Sequence, residues 1–290
     1  MASGALIPPS PLESYMQNPS RHSPPRVQLI GLPHDANSSF LRGAAGGPAA
    51  IRRALFSDSA NPFTETGYDL FAGGCLSDAG DVVFDGSDDF AAIVAAAVAT
   101  SGGAPPIFLG GDHFVTWPVI RGMAAAHTGL TILHFDAHPD TYDELNGSRT
   151  SHACPFARIM EERLAARLVS VGIRAMTTHQ RDQAARFGIE VHEMKDFSGT
   201  LKLEPGGPLY ISFDLDALDP AFAPGVSHPE GGGLTTRQAL SIIHGLGCPI
   251  IGADVVEMNP VRDPLQITAY AAAKVVKEIA GMMIKNDPDS

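Results

Sequence analysis

The stretch His134-Phe135-Asp136-Ala137-His138-Pro139-Asp140 follows the apolar run Thr131-Ile132-Leu133 and places Asp136, His138 and Asp140 at alternate positions. Read as a strand entering a loop, that spacing puts three side chains on one side, where they can converge on a cation. Two other apolar runs end the same way. Residues 107–109 lead into Gly110-Gly111-Asp112-His113, and residues 209–213 lead into Asp214-Leu215-Asp216-Ala217-Leu218-Asp219-Pro220. A lone strand-end aspartate is more often a turn former or helix cap than a ligand. Six candidates in three such clusters, His113, Asp136, His138, Asp140, Asp214 and Asp216, reverse that expectation. With two of them bridging, they offer roughly four protein ligands to each of two divalent ions and leave room for a shared water. Oxygen-rich ligation with two imidazoles and no thiolate favours Mn2+ over Zn2+.

Two further residues belong with these. Glu257 closes the apolar run 250–256, so its carboxylate is expected at the same crevice, free to pair with a cationic substrate once the other six have saturated the ions. His152 lies close behind the metal loop and just before a helix, a position suited to proton transfer. Asp112, Asp143 and Asp219 are expected in supporting or turn roles, and His192 and His244 as packed or surface imidazoles.

The elements that must position these groups alternate. Strands are expected at 27–32, 107–109, 130–135, 168–172, 189–192, 209–213 and 250–256. Helices are expected at 48–56, 90–100, 116–127, 154–166, 177–187, 235–245 and 264–283, with a loop-rich stretch from 57 to about 88. Such alternation predicts an α/β fold with a mostly parallel sheet covered on both faces. Ligands of such sheets bind outside the carboxyl ends of the strands, where every candidate falls. Residues 1–25, rich in Pro and Ser without periodicity, read as a flexible arm, and 26–290 as a single catalytic domain.

A net charge of -12 without a basic cluster argues against nucleic acid or an anionic membrane as partner, and fits a small cationic substrate. No apolar run is long enough to span a bilayer. Three scattered cysteines, Cys75, Cys154 and Cys248, suggest no disulfide framework, and a reducing cytoplasm is the simplest expected home.

GGDH at 110–113, DAHPD at 136–140, SFDLDALDP at 212–220 and DVVEMNP around Glu257 resemble the ureohydrolase family, the arginases and agmatinases. NSSF at 37–40 and APGVSHPE at 223–230 extend the resemblance from about Val27 to the C-terminus. The segment from Ser151 to Glu161 looks most like plant-type arginases and their bacterial relatives. The resemblance implies a three-layer α/β/α arginase-type fold, a dinuclear manganese site, and hydrolysis of a guanidino C–N bond to urea and an amine. It implies one ion on His113, Asp136, Asp140 and Asp214, and another on Asp136, His138, Asp214 and Asp216. It further makes Glu257 the guanidinium anchor, His152 a proton shuttle that also meets substrate, and Asp140 the proton carrier to the leaving amine. A homo-oligomer, trimer or hexamer, is implied as well. The chain departs from the family at Phe114, where serine is usual, and at Gly231, where PEPGG is usual. Phe114 is expected to narrow the pocket. Arginine is the first substrate expected, with agmatine or another guanidino acid behind it, and a catalytically silent metal-binding paralogue is the non-enzyme alternative.

Overall fold

A computed structural model describes residues 26–287, apart from 85, 87, 101 and 102; the proline- and serine-rich arm at 1–25 lies outside the described residues. The strands are β1 (Val27–Gly31), β2 (Leu76–Asp81), β3 (Pro106–Leu109), β4 (Thr131–Phe135), β5 (Arg167–Ile173), β6 (Glu190–Glu193), β7 (Leu209–Asp214) and β8 (Ile250–Val256). They form one sheet in the order β2-β1-β3-β8-β7-β4-β5-β6, and neighbouring strands all run parallel. The helices are α1 (Gly47–Leu55), α2 (Asp89–Ala99), α3 (Thr116–Met123), α4 (Pro155–Glu161), α5 (Thr178–Phe187), α6 (Thr236–His244) and α7 (Ile267–Lys285).

Strand residues alternate between two apolar layers, as a period of two requires. Leu109, Leu133 and Ile211 pack with Ile51 of α1, Ile243 of α6 and Val276 of α7. Their neighbours Phe108, Ile132 and Tyr210 pack on the other face with Ile93 of α2, Val119 of α3 and Phe156 of α4. Burial on both faces is why these strands read as continuous apolar runs, and it yields the three-layer α/β/α arrangement. Strand order brings β3, β8, β7 and β4 side by side, so four loops that are remote in sequence leave the sheet at one place.

The boundaries depart from expectation where backbone chemistry intervenes. Strand β2, Leu-Ser-Asp-Ala-Gly-Asp, lies within the stretch expected to be loop. It survives as an edge strand because β1 supplies its ladder and Arg52 of α1 pairs with Asp78 and Asp81. Helix α4 stops at Glu161, short of the expected 166, and Arg163 turns the chain with a left-handed φ of 56°.

Candidate metal centre

Behind the strand ends a polar row crosses the middle of the sheet. Asp254, Ser212, His134 and Ser170 stand in register on β8, β7, β4 and β5. The Tyr210 and Thr116 hydroxyls donate to Asp254 Oδ2 at 2.9 and 3.0 Å, and Ser212 Oγ donates to Asp254 Oδ1 at 2.7 Å. With its one proton spent, Ser212 Oγ accepts from His113 Nε2 at 3.0 Å. The imidazole is thereby turned so that Nδ1 faces the strand ends. There Asp136 Oδ2, Asp140 Oδ2 and Asp214 Oδ2 lie 3.1, 3.0 and 3.2 Å from it. His113 Nδ1 is fully buried and makes no hydrogen bond among the described residues. Three carboxylate oxygens and an imidazole nitrogen from three loops, held this close without a hydrogen bond among them, fit a divalent cation.

A second cluster adjoins the first. His138 Nδ1 lies 3.0 Å from Asp216 Oδ2 and 3.4 Å from Asp136 Oδ1. Asp136 thus turns one oxygen to each cluster. Backbone amides fix the other carboxylates: Ala137 N donates to Asp216 Oδ1 at 3.0 Å and Asp216 N to Asp214 Oδ1 at 2.7 Å. His134, not singled out in the sequence, donates from Nε2 to Asp136 Oδ2 at 2.8 Å and receives Ser170 Oγ on Nδ1 at 3.0 Å, so both its nitrogens are occupied.

Glu257, at the end of β8, has a left-handed φ of 64°, and Asp140 one of 47°. A non-glycine residue held there costs on the order of 1 kcal/mol, strain that concentrates at functional sites. Glu257 Oε1 accepts from His113 N at 2.9 Å and from His152 Nδ1 at 3.0 Å. Its Oε2 is buried without a hydrogen-bond partner among the described residues. Burial pushes the Glu257 carboxyl up, but the charge and hydrogen bond of His152 outweigh it and hold the group below its ordinary range. Burial likewise lowers His152, yet Glu257 raises it to about 9. His152 Nε2 donates to Ser39 Oγ at 2.9 Å, and its backbone N–H donates to Asn37 O at 3.1 Å. Asn37 N and Ser38 Oγ donate to Asp112 Oδ2, next to His113, at 2.9 and 3.3 Å. The Asn37–Ser39 loop therefore straps His152 to the Asp112 side chain, next to His113. Gly111 makes room for the segment that leads into this loop, since a Cβ there would stand 1.7 Å from His34 O.

These groups floor a cavity of about 370 Å3. His228, whose ring centroid is 4.8 Å from that of His152, stands on its wall. Phe114 does not narrow it: the ring turns away and packs against His34, Phe90 and Trp117. Asp219 is a turn former that accepts from Ala221 N, Gly232 N and Gly233 N, so the altered glycine stretch retains a local anchor. Asp143 supports no metal-site residue, but accepts from Gln183 Nε2 at 2.8 Å near the surface. His244 is packed, paired with the buried Glu278 at 2.8 Å.

Carboxylates and imidazoles gathered in this way at the carboxyl ends of parallel strands define a metal-dependent hydrolase. The model of the arginase family matches residues 25–281. Arginase 1, mitochondrial, of Arabidopsis thaliana is 45% identical over 278 residues, covering 89% of this chain and 81% of that protein. The human guanidino acid hydrolase, mitochondrial, is 37% identical over 287 residues, covering 92% and 81%. The structure of arginase from Medicago truncatula superposes with a TM-score of 0.84 at 43% identity, covering 89% of this chain and 87% of that one. The chain belongs to the arginase family, hydrolases that act on guanidino C–N bonds. These relatives correct the cytoplasmic expectation, because similar plant arginases are named mitochondrial or chloroplastic/mitochondrial. Three cysteines without a disulfide framework do not say which compartment holds the chain.

Proposed function

We propose that this chain is an arginase, hydrolysing L-arginine to L-ornithine and urea with two Mn2+ ions. His113, Asp136, Asp140 and Asp214 would hold one ion, and Asp136, His138, Asp214 and Asp216 the other. Bound there, the ions would supply a water acidic enough to serve as nucleophile near neutral pH.

The observation that carries the reading is Glu257 Oε2, a buried carboxylate oxygen without a partner beside the clustered ligands. An unpaired buried charge is costly, and a guanidinium satisfies it through a charge-assisted hydrogen bond. Glu257 thus holds the guanidinium over the floor of the cavity, with Oε1 kept in place by His113 N and His152. Asp140 takes up the proton that the attacking water gives up and delivers it to the departing amine nitrogen. His152, held between Glu257 and Ser39, exchanges with solvent the second proton, the one released when the next water is activated. A silent paralogue would have no use for this unpaired acceptor. The assembly is a homo-oligomer, trimer or hexamer, which sedimentation would establish.

The test is a urea-release screen over arginine, agmatine, guanidinobutyrate and guanidine with Mn2+ present. Arginine is expected to lead. Agmatine in first place would make the chain an agmatinase, and no urea from any of them with metal bound would identify the silent paralogue.

A further inference from the structure

Above its floor the cavity changes character. Its acidic lining residues, Asp140, Asp214, Asp216 and Glu257, all belong to the floor, and among the described residues neither lysine nor arginine lines it. One wall includes Thr177 and Gln180, the N-cap and third residue of α5, a helix of 10 residues. Gln180 is only 3% exposed. Its amide orientation is decided by the cap: Oε1 accepts from Thr177 N at 3.0 Å and Thr177 Oγ1 at 3.1 Å, and a backbone N–H can only donate. Gln180 Nε2 therefore points away from the cap, and it has no hydrogen-bond partner among the described residues. On a side chain that is otherwise buried, it remains an unspent donor open to the cavity that Gln180 lines. The positive end of α5 lies at the same place, with first-turn N–H groups that the helix itself cannot satisfy. An ammonium would find no acceptor of opposite charge here, whereas a carboxylate would find both a donor and a favourable dipole.

We propose that Gln180, at the N-terminus of α5, receives the carboxylate of the substrate and selects guanidino acids over the amine-ended analogue that lacks one. The proposal rests on the arginase reading, which fixes the guanidinium at Glu257 and so directs the other end of the substrate along this wall.

The test compares kcat/KM for arginine and agmatine in the Mn2+-loaded wild type and in Gln180→Glu. Glutamate preserves an oxygen for Thr177 N and completes the same capping box, so the helix is retained, but it exchanges the donor for a negative charge. The expected result is a fall of about 10- to 100-fold for arginine, chiefly through KM, with agmatine unchanged or improved. An unchanged arginine-to-agmatine ratio, or an equal loss on both substrates, would overturn the proposal. A second measurement needs no variant: guanidinovalerate, which is arginine without its amine, is expected to compete with arginine more strongly than agmatine does, and the reverse order would overturn the proposal too. Absence of urea from wild type with either substrate would instead sink the arginase reading.

Discussion

Ser212 meets no substrate, yet it decides which way His113 faces. Its hydroxyl accepts from His113 Nε2 because its own proton is given to Asp254. Ser212→Ala should therefore free the imidazole to rotate and weaken Mn2+ binding by about 10- to 100-fold, with turnover recovering as Mn2+ is raised. Competition against a chelator measures this, and an unchanged affinity would show that the row behind the site is inert. The six clustered side chains were legible in sequence because aspartate and histidine at alternate positions after apolar runs are chemically conspicuous. Ser212, His134, Ser170 and Asp254 were not, because each lies inside a strand where alternation says only that it is buried. What makes them a network is register across four strands, and no single segment encodes that. Ser39 and His228 lay in motifs already noticed, NSSF and APGVSHPE, but their proximity to His152 depends on loop conformation.

At the scale of elements, parallel alternation was readable because strands buried on both faces are apolar throughout and the helices between them are amphipathic. The capping boxes Thr177/Gln180 and Thr235/Gln238 start α5 and α6 close to where the sequence placed them. The missed strand β2 is polar and held by tertiary partners rather than by propensity, so its own residues carry little signal. Another tertiary tie joins the loop before β2 to two helices: Glu65 pairs with Arg237 of α6 at 2.7 Å and Lys274 of α7 at 3.0 Å. The hydrogen bond from Arg237 outweighs burial and, with Lys274, holds the Glu65 carboxyl at about 2, below its ordinary 4.5. A depressed folded-state pKa means that the contribution is fully present above 4.5 and is lost as pH falls through about 2. Arg237→Ala should accordingly destabilise the protein slightly at neutral pH, by less in high salt, with the deficit shrinking below 4.5. Denaturant unfolding at several pH values checks this; a deficit that grew on acidification would rule the pair out as its source.

For the whole molecule, part of the acidic excess behind a net charge of -12 sits at the site, where four buried aspartates converge from two loops. Without ions these carboxylates crowd a poorly solvated floor, and ions held by side chains from separate loops would bind the folded chain alone. Chelation should therefore lower the midpoint of thermal unfolding by several degrees, since binding at a hundred times Kd contributes about 2.7 kcal/mol. A midpoint indifferent to chelator and to added Mn2+ would mean that the cradle holds no ion. Compartment was the property least legible in composition, because charge and free thiols report solubility and redox state rather than an address. The most direct test of the guanidinium-over-metal assignment is a paired measurement of metal content and arginine turnover in Glu257→Gln. The substitution keeps size and removes the charge proposed to meet the substrate, so the ions should stay while kcat/KM falls by roughly 30-fold to several-thousand-fold. Asp136→Asn, which strips the carboxylate shared by both clusters, should lose metal as well as activity. Metal loss from Glu257→Gln as severe as from Asp136→Asn, or near-normal turnover of arginine, would contradict the assignment.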